Sequence, residues 1–157
     1  MAVALKGLTD NARKTSISEL NGRLADAIAL GLAVKQAHWN VKGRNFIAVH
    51  ELFDTVNANL QTHIDIMAER VQQLDGVAVG TAEKVAAASS LSEYPTDLTK
   101  AEDHIKALSE RYRDHGEKLR QAIDATDEAG DADTADIFTN ASRSVDKDLW
   151  FMESHLE

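Results

Sequence analysis

One stretch decides the fold, and it runs from Lys35 to Gly76 with the sequence KQAHWNVKGRNFIAVHELFDTVNANLQTHIDIMAERVQQLDG. From Phe46 onward, apolar residues recur at steps of three and four, which is the period of an α-helix with one buried face. The recurring positions are Phe46, Val49, Phe53, Val56, Leu60, Ile64, Met67, Val71 and Leu74. The pattern predicts a long amphipathic helix that follows a turn at Gly43 and has Asn45 as its cap.

A polar edge lies beside this apolar stripe. Its members are separated by four, eleven and four residues, and each step returns to nearly the same side of a helix. They are His50, Asp54, Asp65 and Glu69. Asp54 and Asp65 would nevertheless stand roughly 16 Å apart along the axis, so one chain cannot close all four side chains on one metal ion. The edge therefore predicts two half-sites.

Two copies of this helix that cross antiparallel about a two-fold axis would join the half-sites, because such a contact places unlike ends together. His38 stands just before the turn and can fold back towards His50 and Asp54. The predicted metal site contains His38, His50 and Asp54 from one chain with the partner subunit's Asp65 and the partner subunit's Glu69.

The same residues resemble a known family. The run KQAHWNVKGRNFIAVHELFD, followed by DIMAERVQQLDG, is similar to the signature of the Dps family, the DNA-binding proteins from starved cells, also called miniferritins. The similarity continues through YPTD at residues 94–97, DTADIF at residues 133–138 and ASRSVDKDLWFMES at residues 141–154. It covers nearly all of the chain.

The resemblance implies a fold and an activity. The fold is an all-α, ferritin-like four-helix bundle with a short helix in the long crossover between helices 2 and 3, and twelve subunits form a hollow shell. The activity is ferroxidase activity at sites between two-fold-related subunits, with two iron ions per site and a ferric mineral stored inside. The family's ligands map onto His38, His50, Asp54, Asp65 and Glu69, and a tryptophan near the site corresponds to Trp39.

The rest of the chain predicts three further long helices. The first begins at the capping box Ser16 to Glu19 and runs to His38, so residues 1–15 form a short mobile arm and residues 16–157 a single domain.

After Gly76, residues 81–88 predict a short helix. The third long helix follows Pro95 with a stripe of Leu98, Ala101, Ile105, Leu108, Tyr112, Leu119 and Ile123. The fourth starts near Asp133 with Phe138, Ala141, Val145, Leu149 and Met152 on its stripe.

Composition narrows the chemistry. The 157 residues include no cysteine, so thiolate catalysis and sulfur-ligated metals are excluded, and histidine and carboxylate remain as strong ligands for iron, manganese or zinc. No apolar run approaches the roughly 20 residues of a membrane span, and the start lacks the pattern of a secretory signal. We expect a protein of the cytoplasm that makes no membrane contact. The net charge of −9 argues against a surface that generally attracts nucleic acid.

The segment between the last two helices is acidic. Its residues Asp131, Asp133 and Asp136 either cap a helix or, in a Dps-like shell, surround a three-fold pore and concentrate ferrous ions at the entrance. The sequence is compatible with both interpretations.

Other candidate residues carry weaker signals. His63 is rotated far from the polar edge, and His104 and His115 have no carboxylates in register, so we interpret all three as structural. Trp39 and Trp150 are core or interface anchors. The resemblance to the family also implies that Trp39 quenches stray oxidising equivalents near the iron site. No glutamate is followed three residues later by histidine, so a di-iron site inside the bundle is unsupported. Glu51 is a weak candidate for an acid that nucleates mineral.

Together with these residues, the resemblance to the Dps family implies a shell that oxidises ferrous iron, preferably with hydrogen peroxide, and thereby protects DNA in oxidative stress and starvation. The alternative is a structural protein that coats the nucleoid, and the least specific hypothesis is a helical adaptor without metal. The predicted arm carries only Lys6, Arg13 and Lys14 against Asp10. Because phosphate contacts dominate nonspecific DNA affinity, we expect weak direct DNA binding near physiological salt.

Overall fold

The computed structural model describes residues 5–156 and contains five helices in that range. They are α1 (Asp10–Asn40), α2 (Phe46–Gln73), α3 (Ala82–Ala88), α4 (Ala101–Ala129) and α5 (Ala132–Glu153). The only β-type pairing in this part of the chain is an isolated parallel bridge between Lys42 and Lys100. No helix among these residues has the length and apolar character needed to cross a membrane. The predicted all-α class is confirmed.

The four long helices form a bundle. Helices α1 and α2 pack as one antiparallel pair, α4 and α5 pack as another, and α1 contacts α4 while α2 contacts α5. The connection from α2 to α4 travels the length of the bundle, because the Lys42–Lys100 bridge places the start of α4 beside the α1–α2 turn. Helix α3 lies in this crossover and packs on α1. The predicted four-helix bundle with a short crossover helix is therefore present.

The core follows the predicted stripes closely. Seven of the α2 stripe positions are buried, namely Val49, Phe53, Val56, Leu60, Met67, Val71 and Leu74. Full burial of a side chain of this size contributes about 1.5–3 kcal/mol, so α2 alone supplies a large part of the apolar driving force. The two exceptions are Ile64, which is partly buried against the core, and Phe46. Phe46 stands at the start of the helix, is 40% exposed and lies with its ring 5.0 Å from that of His50.

Helix α1 begins earlier than the sequence predicted. Its cap is Thr9, whose hydroxyl accepts a hydrogen bond from the backbone N–H of Ala12, so the predicted start at Ser16 is wrong. Ser16 is fully buried and donates instead to Asp131, 115 residues away. Residues 10–15, assigned to a mobile arm, are helical, and residues 1–4 of that arm lie outside the described range.

Two other local predictions need correction. Asn45 occupies the cap position of α2, but its side chain makes no capping hydrogen bond. Leu98 lies before α4 rather than on its stripe, since that helix begins at Ala101. The predicted turn at Gly43 is present, and its φ of 131° is a backbone conformation that favours glycine.

A buried carboxylate fastens the crossover to the bundle. Asp26 of α1 is fully buried and accepts hydrogen bonds from the backbone N–H of Ser90 at 2.7 Å and from the hydroxyls of Ser89 and Ser90. The guanidinium of Arg23 lies 3.1 Å from the same carboxylate and balances its charge. A buried charge is tolerated only when it is paired and hydrogen-bonded, and Asp26 satisfies both conditions.

A second buried carboxylate joins α1, α2 and α5 near the end of the bundle where α1 begins and α2 ends. Asp131 is 1% exposed and receives hydrogen bonds from the hydroxyls of Ser16 at 2.7 Å and Thr134 at 2.6 Å, and from Arg70 at 2.9 Å. Burial alone would raise the pKa of Asp131, but the hydrogen bonds from Thr134 and Ser16 and the charge of Arg70 outweigh it and lower the pKa. The ionised form of Asp131 is therefore the one that the fold stabilises.

We predict that Asp131→Asn lowers the free energy of unfolding by about 3 kcal/mol, because it removes the buried carboxylate 2.9 Å from the guanidinium of Arg70. Asp133→Asn is the matched control: Asp133 lies 4.0 Å from the same guanidinium, but its side chain is 89% exposed, so its loss should change stability by less than about 0.5 kcal/mol. Urea unfolding at one protein concentration measures both.

The same pair of variants tests the pH dependence. Because the folded pKa of Asp131 is lowered, its contribution is complete above the unfolded value of about 4 and disappears as the pH falls through the folded value. The stability difference between wild type and Asp131→Asn should thus be constant near neutrality and shrink below about pH 4. A difference that persists unchanged at lower pH would contradict this assignment.

Candidate metal centre

The end of α1 and the first turn of α2 place His38 and His50 face to face. Their rings are stacked, with centroids 3.7 Å apart and planes inclined by 20°. Nδ1 of His38 lies 2.8 Å from the backbone carbonyl oxygen of His50, and Nδ1 of His50 lies 2.8 Å from the carbonyl oxygen of His38. The prediction that His38 folds back onto His50 is confirmed by these contacts.

The reciprocal hydrogen bonds determine which ring nitrogens are available. A carbonyl oxygen can only accept, so both Nδ1 atoms carry the proton and donate. Each neutral ring therefore keeps a lone pair on Nε2, which is the nitrogen that can bind a metal ion. Hydrogen bonds to the non-coordinating nitrogen are the usual way in which proteins orient a histidine ligand.

Asp54 adds a carboxylate to the two imidazoles. Its Oδ1 atom lies 3.4 Å from Nδ1 of His38 and 2.7 Å from the ammonium of Lys35. The hydrogen bond from Lys35 holds the pKa of Asp54 below its usual range, and the carboxylate is 56% exposed. Oδ2 takes no part in these contacts, so it can face an incoming cation.

Lys35 is the residue of this site that the sequence pattern did not predict. It stands three residues before His38 on the same side of α1, and its ammonium lies 5.8 Å from the centroid of the Trp39 ring. The spacing could have drawn attention to Lys35, but only the fold shows that its partner is a carboxylate on α2.

Asp65 and Glu69 lie farther along α2 and point to solvent. Within residues 5–156, neither side chain makes a hydrogen bond or an ion pair, although Met67 between them is fully buried. Among the described residues of a single chain, no group of three or more histidine and acidic side chains is positioned to hold a metal ion. The half-sites are thus separate in one subunit, and their union across two subunits stays a prediction.

The tryptophans occupy the surface. Trp39 is 68% exposed and Trp150 is 63% exposed, so neither is a core residue of the chain. For Trp39 and Trp150, the other predicted role, that of an interface anchor, stays a prediction. Glu51 is also exposed, beside His50.

The three histidines interpreted as structural are packed accordingly. His115 is 1% exposed, and burial lowers its pKa to about 4, so it is neutral near pH 7. His104 is also buried and shares a hydrogen bond of 2.6 Å with the hydroxyl of Tyr94. His63 is half-buried, and burial lowers its pKa.

The acidic segment divides into two parts. Asp131 is the N-cap of α5, and its side chain accepts a hydrogen bond from the backbone N–H of Thr134. Of the two predicted roles, the structure thus shows the role of a helix cap. Because its carboxylate is buried and fully hydrogen-bonded, we remove Asp131 from the predicted pore. Asp133 and Asp136 are exposed and stay candidates.

Comparisons with known proteins agree with this architecture. The family model described as a ferritin-like domain matches residues 17–157. The DNA protection during starvation protein of Agrobacterium fabrum is 53% identical over 150 residues, which cover 96% of this chain and 93% of that protein. The chain belongs to the Dps family of ferritin-like proteins.

Solved structures give the same assignment. DpsC from Streptomyces coelicolor superposes with a TM-score of 0.94 at 31% identity. The match covers 99% of this chain and 91% of the DpsC chain. Dps from Microbacterium arborescens, in a structure described as the high iron form, has a TM-score of 0.90 at 33% identity, with coverage of 98% and 99%. The predicted ferritin-like fold is confirmed.

The ion pair between Lys35 and Asp54 generates a prediction. An arriving divalent cation competes with the ammonium for the carboxylate, so Lys35→Ala should raise the affinity for a divalent cation by about threefold, the size expected for an exposed ion pair. Lys84→Ala removes a lysine charge at another exposed position and should leave the affinity unchanged. Anaerobic calorimetry with Fe²⁺ compares the two variants, and weaker binding by Lys35→Ala would instead make Lys35 a supporting residue of the site.

Proposed function

We propose that this protein is a ferroxidase and iron-storage subunit. Ferrous ions are oxidised at sites shared by two chains, and the ferric product is held inside a hollow dodecamer in the cytoplasm. The observation that carries the proposal is the pair of stacked imidazoles, oriented by hydrogen bonds and placed beside Asp54. The structure of the relative in its high iron form supports iron as the metal.

The donor set suits iron on chemical grounds. Neutral imidazole nitrogen is a good ligand for ferrous iron, and hard carboxylate oxygen favours the ferric product. His38 and His50 supply the nitrogens, while Asp54 and the exposed acids Asp65 and Glu69 supply the oxygens. Two ions that share five side chains keep open positions where an oxidant can bind.

The residues of this chain then have separate tasks. His38 and His50 bind the entering ion through Nε2, since their Nδ1 protons are committed to backbone carbonyls. Asp54, the partner subunit's Asp65 and the partner subunit's Glu69 balance the charge that increases on oxidation. Two ferrous ions each lose one electron, hydrogen peroxide accepts both as its O–O bond breaks, and hydrolysis of the ferric ions releases protons to solvent. Peroxide is our proposed preferred oxidant, ahead of dioxygen.

Mixed assemblies test the shared site. Asp65→Ala with Glu69→Ala should abolish rapid iron oxidation, and so should His38→Ala with His50→Ala, because each variant lacks half of every site. Chains of the two variants that are unfolded and refolded together should regain activity, since a mixed dimer contains one site with all five ligands. Absorbance of the ferric product after peroxide is added to an anaerobic ferrous complex gives the rate.

A histidine variant serves as the control for this experiment. His63→Ala removes an α2 histidine that lies away from the polar edge and should oxidise iron at the wild-type rate. Wild-type rates in either unmixed double variant would refute the shared site, and failure of mixed assemblies to recover would show that the ligands do not combine across chains.

Ion entry gives a separate prediction. If Asp133 and Asp136 surround a three-fold pore, the double substitution to Asn should slow iron uptake severalfold at low salt. The effect should fade above about 0.1 M salt, where the field of the wild-type acids is already screened within roughly 10 Å. Stopped-flow uptake at two ionic strengths measures this, and an equal rate at low salt would limit these acids to the start of α5.

Direct DNA binding is weak in our proposal, so protection of DNA comes chiefly from the removal of iron and peroxide. The structure describes Arg13 and Lys14 on helix α1, which leaves Lys6 as the only basic residue before that helix in the described range. A DNA coat made through a flexible basic arm therefore has few phosphate contacts available.

A further inference from the structure

A cavity of about 410 Å³ lies at the end of the bundle where α2 and α4 begin. Its charged and titratable lining consists of Lys42, Arg44, Lys100, Glu102 and His155. These residues come from the α1–α2 turn, the start of α4 and the segment after α5. None of the proposed metal ligands lines this cavity, so its role is independent of the proposed function.

The backbone fixes two of the cations side by side. The N–H of Lys42 donates to the carbonyl of Thr99 at 2.7 Å, and the N–H of Ala101 donates to the carbonyl of Lys42 at 3.2 Å. These bonds form the parallel bridge in which Lys42 faces Lys100. Both lysine side chains are exposed, so solvent screens their mutual repulsion, and an anion bound between them would reduce it further.

Nearby acids do not neutralise the cavity. Lys42, Arg44 and Lys100 form no ion pair within residues 5–156, although the whole chain has 26 acidic residues against 17 basic ones. Glu102 lines the same cavity without bonding to any of the three. Three cations therefore line one cavity without a paired acid, although the chain as a whole has a surplus of acids. A small anion is the kind of ligand that would balance these charges.

The backbone at the cavity is suited to the same kind of ligand. The caps of α2 and α4, Asn45 and Lys100, make no side-chain capping hydrogen bond. By contrast, Thr9 and Asp131 cap α1 and α5 through their side chains. At the start of α4 the N–H of Ala101 already donates to the carbonyl of Lys42, and the first turn carries Glu102 and Asp103. The start of α2 has neither a side-chain cap nor an acid in its first turn, so it is the helix start beside these cations that favours an anion.

We propose that this cavity binds a small oxyanion of the phosphate class, with Lys42, Lys100 and Arg44 as its cationic ligands. The size of the cavity and the net charge of −9 favour a small anion over a nucleic-acid backbone, which would bring many further phosphates against an acidic surface. Binding reduces the repulsion between Lys42 and Lys100 and therefore stabilises the fold.

Calorimetric titration of the iron-free assembled protein with inorganic phosphate, in a buffer without phosphate, tests the proposal. Lys42→Gln with Lys100→Gln should weaken phosphate affinity by about tenfold or more. Lys84→Gln with Lys106→Gln changes the net charge equally at two exposed lysines that form no ion pair within the described residues. This control should retain the wild-type affinity.

Thermal unfolding, monitored by circular dichroism, is a second measurement. It reports the effect of phosphate on stability even in a variant that does not bind phosphate. Millimolar phosphate should raise the Tm of wild type and of the control, but not that of Lys42→Gln with Lys100→Gln. Without phosphate, that variant should be at least as stable as wild type, because it has lost a like-charge pair.

Three results would overturn the proposal. These are the absence of saturable phosphate binding by wild type, an equal loss of affinity in the control variant, and a Tm increase that survives in Lys42→Gln with Lys100→Gln. A short duplex that binds more tightly than phosphate through the same two lysines would also overturn it, because the cavity would then be a contact for nucleic acid.

Discussion

A straight helix cannot bring its own two ends together, and this constraint governs what α2 can do. One face of α2 is committed to the core, where Phe53, Val56 and Met67 are fully buried. Its neighbouring edge carries acids at both ends that roughly 16 Å of helix keep apart. The same rigidity that builds the bundle therefore keeps the candidate metal ligands of one chain in two separate groups, and in our proposal a second chain supplies the missing ligands.

The bundle could be predicted because its signals are local. Apolar positions that recur along α2, α4 and α5 report a buried face without any knowledge of the partner helix. The histidine pair could also be predicted from the sequence, because only a short turn separates His38 from His50. The five ligand candidates were thus chosen from one continuous stretch and its spacing.

The buried polar network could not be predicted, because its partners are distant in sequence. Ser16 looked like a helix cap, yet it donates to Asp131 across 115 residues. Asp131 could be predicted as a cap of α5, but its contacts with Ser16 and Arg70 could not. The spacing of Lys35 from His38 placed it on the side of α1 that carries the site, yet only the fold shows Asp54 as its partner. In each case the partner lies on another element, and a local pattern carries no information about it.

The crossover between α2 and α4 has a consequence for the order in which the chain folds. Helices α1 and α2 are joined by a short turn, and so are α4 and α5, so each pair can form through contacts that close small loops at low entropic cost. The crossover must span residues 74–100 before Asp26 can receive Ser89 and Ser90 and before Lys42 can pair with Lys100. We therefore expect two helical hairpins to assemble early and the crossover to dock late. In the native state, amide hydrogens of the crossover should exchange with solvent through smaller openings than those of the α2 core.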